Sequence, residues 1–259
     1  MTGAHALRGL SLTDCSVAIF LSALLFGTIV TPLQTQIENR KIEETAQLLE
    51  RARAALLGYA AAHGYFPCPA DNASSGQEAA GTDHATGRCP VYHGFLPAAT
   101  LGFPASDGQG FTVDAWGRLE NRIRYAVTNQ TIGPSINTNA FTRTNGIRAA
   151  GIPSLSDTAL SLFHVCGSGT GVVAGVNCGT ALTLVSTTPV IVWSVGGNAA
   201  TGGAGADEAQ NPNPNGGSAD RIFVSRVRSS VAGNEFDDIV TWIPVTVVVS
   251  RMLAAGQLP

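Results

Sequence analysis

Between Asp14 and Glu38 the chain carries no charged residue, and this stretch, Cys15 to Ile37, constrains the fold more than any other feature. The hydrocarbon of a bilayer is about 30 Å thick and needs about 20 apolar helical residues to cross it, so a run of this length can span a membrane where a core helix of about 12 cannot. Asp14 sits at the mouth of the run. A carboxylate in that position is costly to bury and calls for a partner of opposite charge. The expectation is a membrane-spanning helix whose acid needs a partner charge. An ordinary single-span anchor, with Asp14 reaching up to the lipid headgroups, is the alternative.

Length and charge narrow the rest. The 259 residues suit an anchor followed by one exported domain of roughly 200 residues. A net charge of −3, with 15 Lys+Arg spread along the chain, supplies no basic stripe for phosphates, so nucleic acid is not expected as a partner. Charged residues are only 13% and glycines number 30, which suits short strands and long loops outside the cytosol. One cysteine, Cys15, lies in the apolar run and four lie beyond it. Pairing Cys68 with Cys89 and Cys166 with Cys178 would close two local loops in an oxidising compartment, although four cysteines allow three connectivities.

The segment ahead of the apolar run does not read as a secretory signal. Such a signal places small residues in an A-x-A-like pattern after its apolar region, whereas Thr31, Pro32, Leu33 and Gln34 follow here. A lipoprotein leader needs small residues before its cysteine, and Cys15 follows Thr13 and Asp14. A cut before the span, between Gly9 and Leu10, does fit, with Arg8 held on the cytoplasmic side.

At RGLSLTD the chain resembles the class III leader of type IV pilins and type II secretion pseudopilins: a glycine, a hydrophobic residue, and an acid fifth after the cut. Leu10 takes the hydrophobic place and Asp14 the acidic one, with Asp standing where the family has Glu. The resemblance implies cleavage after Gly9 by a prepilin peptidase, methylation of the new amino terminus on Leu10, and assembly with other pilins or pseudopilins at an inner-membrane platform. The α-amino group of Leu10 on one subunit and Asp14 on its neighbour would each be costly in lipid alone and much less so together. Residues 1–9 are then a leader, 10–63 a membrane and assembly helix, and 64–259 a periplasmic or extracellular domain. The alternative is a membrane-tethered exported binding domain that does not polymerise.

Beyond the span, Leu48, Ala52, Ala55, Tyr59 and Ala62 recur near helical spacing, so one helix is expected from Leu10 to about His63, bent at Pro32 and stopped at Gly64. The sequence then turns loop-rich, with a helical turn expected around Leu96 to Leu101. Strands are expected over Asn121 to Thr128, Leu160 to Cys166, Ala181 to Ser186, Val190 to Val195, Arg221 to Val227 and Ile239 to Ile243, and a closing helix over Val245 to Ala255. Helix first and strands later reads as an α+β fold, a pilin-like helix packed on an antiparallel sheet.

Three further patches carry the resemblance. DAWGRLENRIRYAV, Asp114 to Val127, is similar to an element of the major type II pseudopilin, and VWSVGGN with the later DDIVTW is similar to its C-terminal β region. In that family this region binds calcium through carboxylate and carbonyl oxygens. By position the resemblance implies the carbonyl of Val195, Asn198 and Asp207 as ligands, against a plain flexible loop over Gly196 to Ala219. Asn in place of Asp would weaken the site.

Other chemistry is sparse. Cys68, His84, Cys89 and His93 are of types that bind zinc, but C-x15-H-x4-C-x3-H is no known finger order and export favours a disulfide. GSGTGVVAG, Gly167 to Gly175, lacks the Lys-Ser/Thr of a phosphate loop and reads better as a hairpin tip. No histidine stands in a recognisable nucleophile motif, so no catalysed reaction is expected.

Overall fold

The computed structural model describes residues 12–131, 138–156, 162–201, 205–211 and 221–258; within the first helix the side chains of 14 and 23–33 are not described. Gly9 and Leu10 therefore lie outside the described residues, as do the side chain of Asp14 and the bend expected at Pro32. The chain divides into two compact units, Met1–Glu43 and Glu44–Pro259.

A single helix, α1 (Leu12–His63), contributes to both units. In the first unit its large apolar side chains, Leu12, Val17, Ile19, Phe20 and Leu21, are exposed. Among the described residues no helix is long and apolar enough to cross a membrane, and the centre of the expected span, 23–33, is not among the side chains described.

In the second unit α1 turns amphipathic: Leu49, Ala52, Leu56 and Ala60 are all buried, at the three- and four-residue steps that align one face of a helix. Gly64 ends it in the left-handed region (φ 81°), its N–H donating to the Ala60 carbonyl at 2.7 Å. That face packs on a four-stranded antiparallel sheet of β1 (His93–Phe95), β2 (Arg124–Val127), β5 (Val190–Ser194) and β7 (Ile239–Ile243), in the order β1-β2-β5-β7. Tyr125, Val127, Val190, Val192 and Ile243 meet the helix, and α3 (Val245–Ala254) closes the same core with Val248 and Met252.

The opposite face of this sheet is also covered. A second sheet holds β3 (Phe163–Cys166), β4 (Thr183–Thr188) and β6 (Ile222–Val224) in the order β4-β3-β6, and its Phe163, Val165 and Phe223 pack on Ala126, Ile191 and Trp193 of the first. The β3–β6 pair is parallel, which corrects the expectation of one antiparallel sheet. The cause is visible in β5. Every residue of VIVWS is buried, so this strand needs apolar cover on both faces, and a helix on one side leaves the other to be met by a second sheet.

Six strands fall within or close to their expected ranges, while β1 and α2 (Gly146–Leu155) were not foreseen. Helix α2 contains Pro153 and is interrupted at Gly151 (φ 69°), two breakers that mask its signal. The cysteines are paired locally, Cys68 with Cys89 and Cys166 with Cys178. The second bridge closes the base of a hairpin over residues 167–177, whose tip pairs Val173 with Asn177.

Candidate functional site

The end of β5, the start of β7 and the turn Glu208–Gln210 bring carboxylates together. Oxygens of Glu208, Asp237 and Asp238 lie within 4.8 Å of one another. The loop after β5 is held against them by backbone donors: Gly197 and Asn198 N–H groups donate to Asp237 Oδ2 at 2.8 and 3.1 Å. The Asp237 N–H donates to Glu208 Oε1 at 2.9 Å, and Asn198 Nδ2 donates to the same carboxylate at 3.0 Å. Asn211 Nδ2 donates to Asp238 Oδ2 at 2.6 Å. Asp237 Oδ1 is buried without a hydrogen-bond partner among the described residues.

Glycine is required at the approach. Gly196 adopts φ 67°, and a Cβ there would lie 2.4 Å from the Asp237 carboxyl, so a side chain would displace the acid.

This loop is anchored by the DAWG segment. Asp114, 4% exposed, accepts from Ser194 Oγ at 2.5 Å, from Asn121 Nδ2 at 2.9 Å and from the Trp116 N–H at 2.9 Å. Asn121 also donates to the Gly196 carbonyl at 2.6 Å. The two sequence patches DAWG and VWSVGGN are thus adjacent through one buried polar network, a link that no spacing rule discloses because about 80 residues separate its ends.

Of the expected ligands Val195, Asn198 and Asp207, the structure brings Asn198 to this cluster and the other two elsewhere. Asn198 does reach the cluster, but Asp207 turns away: its Oδ1 accepts from Ser168 Oγ at 2.9 Å and from the Gly169 N–H at 2.6 Å, and its Oδ2 pairs with the Arg226 guanidinium. Val195 packs at the edge of the core between the sheets. The neighbouring Glu208 and the DD pair of DDIVTW take the acidic places instead. A count of acids in that patch flags Asp237 and Asp238, whereas their meeting with Glu208 depends on tertiary structure.

The electrostatics follow from crowding. Burial pushes the Asp237 carboxyl up to about 6, helped by its hydrogen bond and charge repulsion with Glu208. Burial likewise raises Asp238 to about 7, opposed by the Asn211 hydrogen bond and by Arg124. Three acids, a raised affinity for protons and an orphaned oxygen fit a hard, oxygen-seeking cation such as calcium, which would replace the protons. Glu208, Asp237, Asp238 and the amide oxygen of Asn198 are the residues that would hold it.

Because both aspartic acids bind protons more tightly folded than unfolded, the stability they contribute is fully present below about pH 4 and is lost as the pH rises through about 6 and 7. The expected loss between pH 5 and pH 8 is roughly 2 kcal/mol, discounted for the water that screens both partly buried carboxylates. Urea midpoints measured at both pH values, with and without calcium, test this: calcium at pH 8 should recover most of the loss, and a midpoint indifferent to calcium would dismiss the cation site.

No family model, no curated protein and no solved structure matches the chain.

Proposed function

We propose that the chain is a prepilin-like subunit, cut after Gly9 and assembled through its apolar helix into a type IV pilus or a type II secretion pseudopilus. The observation that carries this reading is the order Gly9, Leu10, Asp14 and an uncharged run, followed by a helix that continues without interruption into a globular unit. Its support is physical. An acid at the head of an apolar helix is stabilised by an amino terminus of a neighbouring subunit, and that pairing fixes the axial register of the two helices.

In this reading the chain performs no chemistry. The exposed apolar side chains of residues 12–21 are contact surface, and the disulfide-tied unit faces the periplasm or the cell exterior. The partners are a prepilin peptidase, other pilins or pseudopilins, the inner-membrane assembly platform and membrane lipid. The exported unit is large for a repeating subunit, which favours a minor, initiating or tip position.

Intact-mass and amino-terminal sequencing of the protein from its membrane tests the proposal. The expected mature chain starts at Leu10. A chain that keeps Met1, or one that starts after Thr31, would remove the processing step on which assembly depends.

A further inference from the structure

At the far end of α1, the loop residues Glu78 and His84 converge on the Cys68–Cys89 bridge. The sulfur of Cys68, a carboxylate oxygen of Glu78 and a ring nitrogen of His84 lie within 4.8 Å of one another. Cys89 is bonded to Cys68 through the bridge, and its sulfur lies just outside this group of three. His93, the other histidine of the pattern, is 2% exposed and packs against Phe163 and Phe223, outside this group.

The imidazole is oriented as a ligand is. His84 Nδ1 is 2.7 Å from the Thr142 carbonyl, to which it donates, and this leaves Nε2 directed at Glu78, 3.0 Å away. Histidines that bind metals are held in the same manner, with the second nitrogen donating to a carbonyl or carboxylate. Glu78 is fixed in turn, its Oε1 accepting the Cys68 N–H at 2.5 Å. Both side chains are largely enclosed, 21% and 17% exposed.

We propose that reduction of the Cys68–Cys89 bridge opens a tetrahedral metal site made by the two thiolates, His84 and Glu78, with the donor set that zinc prefers, and that the disulfide closes this site. Zinc bound at about 2.0–2.3 Å by sulfur, nitrogen and oxygen sets its ligand atoms roughly 3–4 Å from one another, so Cys68, Glu78 and His84 need only draw together slightly while the freed Cys89 thiolate turns in from beside Cys68. Two thiolates and an imidazole exclude calcium and magnesium as occupants. A disulfide sulfur carries no negative charge and is no substitute for a thiolate, so the same residues have little affinity for metal when oxidised.

The redox balance is simple. A phosphine cleaves the S–S bond, its phosphorus taking the oxygen of a water molecule whose two protons end on the sulfurs. Metal binding then expels both thiol protons and any proton held between His84 and Glu78. A chain still in a reducing compartment would carry the ion, and thiol–disulfide exchange with a disulfide oxidant, which takes the two electrons and leaves as two thiols, would form the Cys68–Cys89 bridge and release the metal. Among the described residues no similar group surrounds Cys166 and Cys178.

Cobalt(II) titration of the full-length chain tests this, read by the thiolate-to-cobalt charge-transfer and tetrahedral ligand-field absorption. The oxidised protein should show neither band. After phosphine reduction, one cobalt per chain should bind, zinc should displace it, and the paired Cys166→Ser and Cys178→Ser changes should leave the spectrum intact. His84→Ala should weaken binding by more than about tenfold. Absence of the bands after reduction, or their survival in Cys68→Ser, would overturn the proposal. Equal affinity in the His84→Ala chain would also overturn it, because loose thiols of an unfolded chain have no need of an imidazole.

Discussion

On the proposed prepilin reading, a chain carrying Asp14→Ala is expected to enter the membrane normally and to lose its place in the filament. Removing the carboxylate makes insertion easier, since an aspartic acid in an apolar helix opposes transfer into lipid. What would be lost in the proposed assembly is the partner of the neighbouring amino terminus, which would then be left charged and unpaired in hydrocarbon. A difference on the order of 2 kcal/mol at each junction corresponds to about a thirtyfold fall in incorporation. Asp14→Glu restores the charge with one more methylene of reach and should recover most of it. Co-purification with the other filament subunits, scored beside the amount of membrane-inserted chain, measures both quantities. Equal incorporation of the alanine chain would favour the tethered, non-polymerising domain.

Trp193→Ala should be the most damaging single change in the second unit. Trp193 is fully buried at the centre of the four-stranded sheet, faces the second sheet, and meets the ring of Phe223 edge-on at 5.1 Å. Emptying that space removes the main contact between the two sheets and is expected to lower stability by about 3–5 kcal/mol. Trp193→Phe should be much milder. The indole Nε1 is buried with no partner among the described residues, so its removal relieves a desolvation penalty that partly offsets the lost ring. Denaturant unfolding of both variants distinguishes packing from polarity. If the phenylalanine chain is as unstable as the alanine chain, the nitrogen has an unrecognised role in holding the sheets.

The candidate cation site shows where sequence reasoning runs out. Asn198 was legible because it lies in VWSVGGN, immediately after a strand whose ending was clear. Asp207 is implied only by position in the resembled family, and in the structure Arg226 and the residues after β3 take its carboxylate. Glu208 is its immediate neighbour, and the short turn Glu208–Gln210 accompanies its placement beside Asp237 while Asp207 points away. An error of one residue in such a turn reverses which acid reaches the site. Of the zinc-type residues, for which export favours a disulfide, His84 lies beside the Cys68–Cys89 bridge with Glu78, whereas His93 sits in β1 and packs against Phe163 of the second sheet.

What the amino-acid order settled alone is local. An uncharged helical run headed by an acid, the amphipathic helix after it, the glycine that stops it, and most of the strands all follow from spacing and backbone preference, which act over a few residues. The partition into two sheets, the parallel β3–β6 pair, the Asp114 network and both polar clusters were decided by tertiary structure. The physical reason is that burial on both faces of β5 demands cover from distant segments, and which segment arrives depends on packing and charge summed over the whole unit.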